Sequence, residues 1–207
     1  MAYVKLLRSG LLAVLGLALF APMASAHSTA LCKTNELPCS AGNTVASGTE
    51  ISAELTTGTT LQLLNNLGNV ICKKVALTGK TTSGLATTVT LSVTDLTFSE
   101  KCKLGAQTCQ TSEALDSPYA STLLYIPGTM DGTLKVEDLK LKFSCGFLLS
   151  CAFLYEPLTT SLQGGNPAKI TAKEVLTSST AGVLCPGESH LDAEFQITSP
   201  QPLYVSE

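Results

Sequence analysis

The chain predicts an all-β fold, an antiparallel β-sandwich or open barrel stapled by disulfides. Three observations lead there. Apolar and polar residues alternate with a period of two in many runs after residue 50, as in Leu139 to Cys145. Turn residues interrupt those runs at short intervals, and no stretch carries the apolar stripe of an amphipathic helix. Eight cysteines, an even number, follow a leader that directs export.

The leader comes first. Lys5 and Arg8 precede an apolar run from Leu11 to Phe20, then Pro22 and the small triplet Ala24-Ser25-Ala26. That order is a secretory signal peptide over residues 1–26, cleaved after Ala26, with His27 as the new N-terminus. The apolar run falls short of the roughly 20 residues that span a bilayer. No second apolar span occurs downstream, and Pro202-Leu203-Tyr204-Val205-Ser206-Glu207 is no anchor tail. Removing 26 of the 207 residues leaves 181, read as a single secreted all-β domain over residues 27–207.

From His27 to Gly48 the chain is polar and rich in turns, with Cys32 and Cys39 closing a small loop. Ile51, Ala53 and Leu55 alternate with polar neighbours, and so do Leu61 and Leu63; Asn65-Asn66-Leu67-Gly68 turns the chain into Val70 to Cys72. Lys73 to Gly84, full of Thr, Gly and Lys, reads as a loop. Val89, Leu91 and Val93 then lie on one face, but the apolar parity switches to Leu96 and Phe98. One extra residue near Asp95, a bulge, would reverse the faces in this way.

Cys102 to Cys109 reads as a tight connection, followed by a loop through Pro118 and a strand from Leu123 to Ile126. Asp131-Gly132 carries a strong hairpin-turn signal. The strand after it is the best patterned: Leu134 and Val136, a switch at Glu137-Asp138, then Leu139, Leu141, Phe143 and Cys145 inward with Lys140, Lys142 and Ser144 outward. Gly146 supplies a bend before Cys151, Phe153 and Tyr155. Ser161 to Pro167 reads as a loop and Ala168, Ile170, Ala172 as a further strand. In the last long strand Leu191, Ala193, Phe195 and Ile197 face in, and His190, Asp192, Glu194 and Gln196 face out. Pro200 and Pro202 confine the closing strand to an edge.

The cysteines are Cys32, Cys39, Cys72, Cys102, Cys109, Cys145, Cys151 and Cys185. Eight allow 105 connectivities. Local closure favours Cys32–Cys39, Cys102–Cys109 and Cys145–Cys151, leaving Cys72–Cys185 as the long bridge; Cys72–Cys102 is the rival, since both lie at strand ends. The chain-entropy relation gives about 2.5 kcal/mol for each short loop and about 5 kcal/mol for the long one. Zinc is disfavoured because no CxxC knuckle is present.

Leu31-Cys32-Lys33, Asn35-Glu36, Pro38-Cys39, Gly68-Asn69-Val70-Ile71-Cys72, Leu96-Thr97-Phe98 with Cys102, Leu184-Cys185-Pro186 and the ending Pro202-Leu203-Tyr204-Val205-Ser206 extend over most of the mature chain. In these motifs the chain resembles a group of secreted, cysteine-containing β-proteins of soil actinobacteria. The resemblance implies export and a shared scaffold. It assigns no catalytic residue.

Composition narrows the function. Without Lys5 and Arg8, eleven lysines face sixteen acidic residues, a formal net charge of about −5, and no arginine remains. Phosphate neutralisation and bidentate base readout both rely on clustered Lys and Arg, so nucleic acid is excluded. With no tryptophan and 5% aromatics, a stacking platform is disfavoured too.

Four polar constellations invite chemistry. His27, if it is the mature N-terminus, offers an amine and an imidazole for copper, and His190 would complete a histidine brace; Ser28 stands where the copper monooxygenases that carry such a brace have glycine. His190, Asp192 and Glu194 form a row that suits a divalent cation or proton transfer, but any wet strand face shows this alternation. Lys140 and Lys142 on a neighbouring strand would pair with Asp192 and Glu194. Ser189-His190 lacks a nucleophile elbow, and adjacent strand residues point apart. Thr88, Thr90, Ser92 and Thr94 form a row of ordinary β-branched surface residues. The expectation is therefore a secreted or envelope-associated, non-enzymatic structural or binding module with no cofactor, whose partner is an extracellular or cell-envelope component. The alternatives are a copper enzyme using His27 and His190, and a carbohydrate-binding module displaying Tyr119 or Tyr125 on an open sheet.

Overall fold

The computed structural model describes residues 28–65, 68–146, 149–178 and 185–207. Sixteen strands are present and no helix is among these residues. They are β1 (Ala30–Cys32), β2 (Glu50–Leu55), β3 (Leu61–Leu64), β4 (Val70–Cys72), β5 (Val75–Thr81), β6 (Val89–Phe98), β7 (Lys103–Leu104), β8 (Gln107–Leu115), β9 (Tyr119–Tyr125), β10 (Gly132–Val136), β11 (Leu139–Cys145), β12 (Leu149–Tyr155), β13 (Leu158–Gln163), β14 (Lys169–Ser178), β15 (Glu188–Ser199) and β16 (Tyr204–Ser206).

Of the two architectures expected, an antiparallel β-sandwich or an open barrel, the fold is a barrel, and it is closed. One circuit of antiparallel ladders runs β10-β13-β14-β15-β2-β5-β6-β9 and returns to β10. A second circuit runs β11-β12-β14-β15-β3-β4-β7-β8 and returns to β11. The two share the long β14–β15 ladder, in which Lys169 faces Gln196 at one end and Thr177 faces Glu188 at the other. Every other stave of the first circuit continues into one of the second: β2 into β3, β5 into β4, β6 into β7, β9 into β8, β10 into β11, β13 into β12. The molecule is thus an eight-staved barrel in two tiers, with six staves interrupted at one level, the waist.

Local chemistry explains the interruptions. Asp138 breaks the β10–β11 stave at φ 51° and Asp116 breaks β8–β9 at φ 63°. Both adopt the left-handed region that a short polar side chain tolerates better than a β-branched one. This is the parity switch expected at Glu137-Asp138. The bulge expected near Asp95 is also present: Thr78 pairs with Asp95 and Gly79 with Val93, leaving Thr94 unpaired. A Cβ on Gly79 would meet the Ser92 carbonyl oxygen at 2.9 Å, so glycine permits the close approach.

The first-tier mouth is plugged by a separate two-stranded sheet, β1 paired with β16, which brings Ala30 opposite Ser206. Leu31, Leu203 and Val205 from this plug are buried. Gly132 lies beneath it: a Cβ there would come 2.8 Å from Leu123 Cδ1 and 3.1 Å from Val205 Cγ1. The hairpin expected around Asp131-Gly132 exists, but its loop sits earlier. Ile126 N–H donates to Asp131 O, Gly128 carries the positive φ of 80°, and Gly132 is already in β10 opposite Tyr125.

Three segments expected as loops are strands: β5 within Lys73–Gly84, most of β8 in the Gln107–Pro118 stretch, and β13 reaching Gln163. Small or polar residues share their inward positions with Val75, Leu77, Leu158 and Leu162, among them Gly79 and Thr81 on β5, Ala114 on β8 and Thr160 on β13. The apolar period that marks a half-buried strand is therefore interrupted in their sequences.

The disulfides depart from the local pairing. Cys32–Cys39 forms as expected, and the others are Cys72–Cys102, Cys109–Cys145 and Cys151–Cys185. The expected Cys102–Cys109, Cys145–Cys151 and Cys72–Cys185 bridges are absent, and the rival Cys72–Cys102 is the one observed. Cys145 and Cys151 do share the inward face of the β11–β12 hairpin, but Cys145 stands opposite Leu149 and Cys151 opposite Phe143. Diagonal neighbours of this kind are about 7–8 Å apart, beyond ordinary disulfide reach. Cys145 instead faces Cys109 directly on β8. Cys109 contacts Cys102 through a backbone hydrogen bond of 2.8 Å, leaving the Cys102 sulfur for Cys72.

Three bridges consequently follow one another around the second tier: β4 to the entry of β7, β8 to β11, and β12 to the segment entering β15. Two of its ladders are short among the described residues. β4 and β7 share only Val70–Leu104 and Ile71–Lys103, and β12 and β14 only Phe153–Ser178 and Leu154–Thr177. Cys72–Cys102 and Cys151–Cys185 lie beside these thin ladders, whereas Cys109–Cys145 crosses the six-pair β8–β11 ladder.

Candidate functional site

The outward row on β15 is present as the alternation requires: Leu191, Ala193, Phe195 and Ile197 are buried, while His190 is exposed and Asp192 and Glu194 are partly exposed. The row does not assemble a shared site. Glu194 is engaged by Lys169, whose ammonium donates to Oε1 at 2.9 Å and holds the Glu194 carboxyl below the usual carboxylate range. Asp192 stands in the ladder between Lys173 on β14 and Gln62 on β3.

The expected pairing of Lys140 and Lys142 with Asp192 and Glu194 is overturned. β11 lies between β8 and β12, with β14 separating it from β15. Lys140 instead meets Asp116 at 2.6 Å, and Lys142 meets Glu113 at 3.1 Å. The carboxylate of Asp116 raises the Lys140 pKa.

His190 lines a surface depression of about 560 Å³ with Leu64, Asn65, Asn69, Gly187 and Glu188. The β3–β4 connection supplies the asparagines and the start of β15 supplies Glu188 and His190, with His190 opposite Leu64 in the ladder. This is a mixed polar and apolar surface. His27, the other half of the expected brace, lies outside the described residues. Among the described residues no three His, Cys, Asp or Glu side chains are grouped to hold a metal ion. Ser189 points inward and is fully buried, away from His190, as neighbouring strand residues must be.

Tyr119 is not displayed for a sugar. It is 3% exposed, its hydroxyl donates to Leu115 O, and burial raises its pKa. Tyr125 is half-buried, and its hydroxyl oxygen accepts from Gly128 N–H at 3.0 Å. The threonine row is likewise tied into its own surface. Thr90 Oγ1 accepts from Thr82 at 2.7 Å and donates to Ser83 at 2.9 Å, and Thr78 and Thr94 hydroxyls are 3.4 Å apart.

A second feature lies inside the barrel and was not anticipated. A cavity of about 60 Å³ occupies the waist, and another of about 40 Å³ lies beneath it in the first tier. Both are lined by Leu77, Val93, Leu134 and Ile170. An eight-stranded barrel is just wide enough for side chains to fill or for one small ligand. Here Ala172 and Thr160 at the waist, and Gly79 and Ser121 below, leave the space. Thr160 Oγ1 donates to Leu134 O at 3.1 Å. Ser121, 2% exposed, has no hydrogen-bond partner for its Oγ. The signal in the sequence was one small inward residue on each of four strands, recognisable only once the strands were placed.

Among the described residues no helix is long and apolar enough to cross a membrane. No family model, curated protein or solved structure matches the chain.

Proposed function

We propose that the chain is an exported, non-enzymatic β-barrel module that acts outside the cytoplasm or on the cell envelope. The observation that carries this reading is the run of three disulfides around the second tier. Three bridges in one tier, two of them beside ladders only two residue pairs long and the third across the longer β8–β11 ladder, make the fold depend on an oxidising compartment. The leader over residues 1–26 supplies the route to such a compartment. The apolar barrel interior and the ion-paired outer lysines support a scaffold or binding role.

Expression of the full chain in a secreting host, followed by N-terminal sequencing and thiol titration, tests the reading. A product in the medium beginning at His27 with no free thiol is expected. Retention in the cytoplasm as a folded, fully reduced protein would end it.

The depression around His190 favours a second reading, a carbohydrate-binding module. Its asparagine, glutamate and histidine side chains can hydrogen-bond sugar hydroxyls, and Leu64 adds an apolar contact. A glycan screen comparing wild type with His190→Ala tests it: a glycan bound by wild type and lost in the variant is expected, and an empty screen would discard it.

A further inference from the structure

The outer wall carries an unbalanced positive charge where β4 and β7 meet the waist. Several outward lysines meet an acid: Lys140, Lys142 and Lys169 form ion pairs, Lys80 stands opposite Glu50, and Lys173 opposite Asp192. Among the described residues no carboxylate is within ion-pair distance of Lys73, Lys101 or Lys103, all three exposed. Ile71 faces Lys103 in the β4–β7 ladder, the Cys72–Cys102 bridge continues that register with Cα atoms 4.3 Å apart, and Lys74 pairs with Glu100 at 2.5 Å. The same register sets Lys73 beside Lys101. Like charges directly opposite one another are destabilising, and an anion between them would relieve the repulsion. Glu100 is already taken by Lys74, which, with Lys73 and Lys103 nearby, holds it below the usual carboxylate range. Glu54 on β2 borders Lys73 and Lys74.

This basic surface adjoins the depression around His190. His190 faces Leu64 across the β15–β3 ladder, and the β3–β4 register carries Leu64 next to Asn69. Asn69 lies two residues before Ile71, so Lys103 is its diagonal neighbour, about 7–8 Å away. Amide and imidazole groups that can bond hydroxyls thus run into ammonium groups that bond anions. Glu188, two residues before His190 on β15, disfavours a negative group at the opposite end. The acid end of a guest is directed toward Lys103.

We propose that this continuous surface binds an acidic polysaccharide, with sugar hydroxyls in the depression around Asn69 and His190 and a carboxylate of a neighbouring sugar on Lys103 and the Lys73–Lys101 pair. The inference rests on the carbohydrate-binding reading above and names its ligand class. Lysine supplies mobile point charges, which suit a flexible chain with repeated acid groups better than one planar ligand. The exposed large apolar side chains, Leu37, Leu85, Leu124 and Ile126, are not among these residues, so a lipid bilayer finds no apolar anchor here.

The exported, oxidised protein is titrated by calorimetry with oligosaccharides of polygalacturonate, alginate and hyaluronate, and with the same oligosaccharides after reduction of their carboxylates to alcohols. Inorganic polyphosphate and vesicles of an anionic phospholipid are the other arms. At least one acidic glycan is expected to bind, more weakly as salt rises, and its reduced form to bind at least about fivefold less tightly at low salt. Lys101→Gln combined with Lys103→Gln should bring the acidic form down to the level of the reduced one. Lys33→Gln, on the plug, is the control and should change nothing. His190→Ala should weaken both forms alike. Equal affinity for acidic and reduced forms overturns the proposal and leaves the carbohydrate reading standing. Binding of polyphosphate or vesicles without binding of any acidic glycan also overturns it. If no glycan binds, acidic or neutral, the proposal and the carbohydrate reading fall together, and the exported module stands.

Discussion

Cys109 on β8 stands directly opposite Cys145 on β11, and a disulfide joins them across that ladder. The bond closes a loop with a sequence separation of 36. Because Cys109 N–H also donates to Cys102 O, and Cys102 is bridged to Cys72, two disulfides and one backbone hydrogen bond tie four successive segments of the second tier together.

Replacing both Cys109 and Cys145 by Ser is expected to destabilise the fold by about 4 kcal/mol, the value the chain-entropy relation gives for a loop of this length. The same replacement at Cys32 and Cys39, separated by 7, should cost about 2.5 kcal/mol. Guanidinium denaturation of the two double variants measures the difference. A larger loss at Cys32–Cys39 would contradict the placement of the reinforcement in the second tier.

Phe143 packs edge-on against Phe98 with ring centroids 5.8 Å apart, and tilted against Phe153 at 6.5 Å. It is 1% exposed. Phe143→Ala should therefore cost about 3–5 kcal/mol, whereas Phe143→Leu, which retains most of the volume, should cost distinctly less. Chemical denaturation checks the order.

Gly132→Ala tests the seat of the plug. The new methyl would meet Leu123 Cδ1 and Leu124 O at 2.8 Å. A loss of about 1–3 kcal/mol is expected from this overpacking, with faster amide exchange in β1 and β16. Gly42→Ala, where a Cβ meets nothing within 4 Å, is the control and should leave that exchange unchanged.

The Glu194 carboxyl is held below the usual carboxylate range by Lys169. A depressed folded-state pKa contributes stability that is present above the unfolded value, about 4.3, and is lost as pH falls through the folded value. Lys169→Met should thus be less stable than wild type at neutral pH, and the difference should vanish in strong acid. Thermal melts across that range, repeated in high salt to screen the partly exposed pair, check it.

How much of this was legible in the sequence depends on which residues face inward. β11 and β15 present a leucine, phenylalanine or other apolar group at nearly every inward position, and their faces follow from the period alone. β5 and β13 interrupt their inward apolar residues with glycine or threonine, which breaks the period. The disulfides were obscured for a related reason: Cys145 and Cys151 are close in sequence, but their pairing depends on which strand flanks each side of the hairpin. The same holds at the surface. Lys140 and Glu194 are correctly outward from parity, yet only the stave order tells that they face different neighbours. Ser121 reads as one more serine until the strand register turns it into the barrel.

The most direct test of the account is disulfide mapping of the exported protein. Non-reduced digestion with chymotrypsin, which cuts near Phe147 and separates Cys145 from Cys151, and with trypsin, which cuts after Lys103 and separates Cys102 from Cys109, followed by mass spectrometry, reads every pair. Cys72–Cys102, Cys109–Cys145 and Cys151–Cys185, with Cys32–Cys39 at the plug, are predicted. Cys102–Cys109 and Cys145–Cys151 bridges, or unpaired thiols in the second tier, would contradict the account.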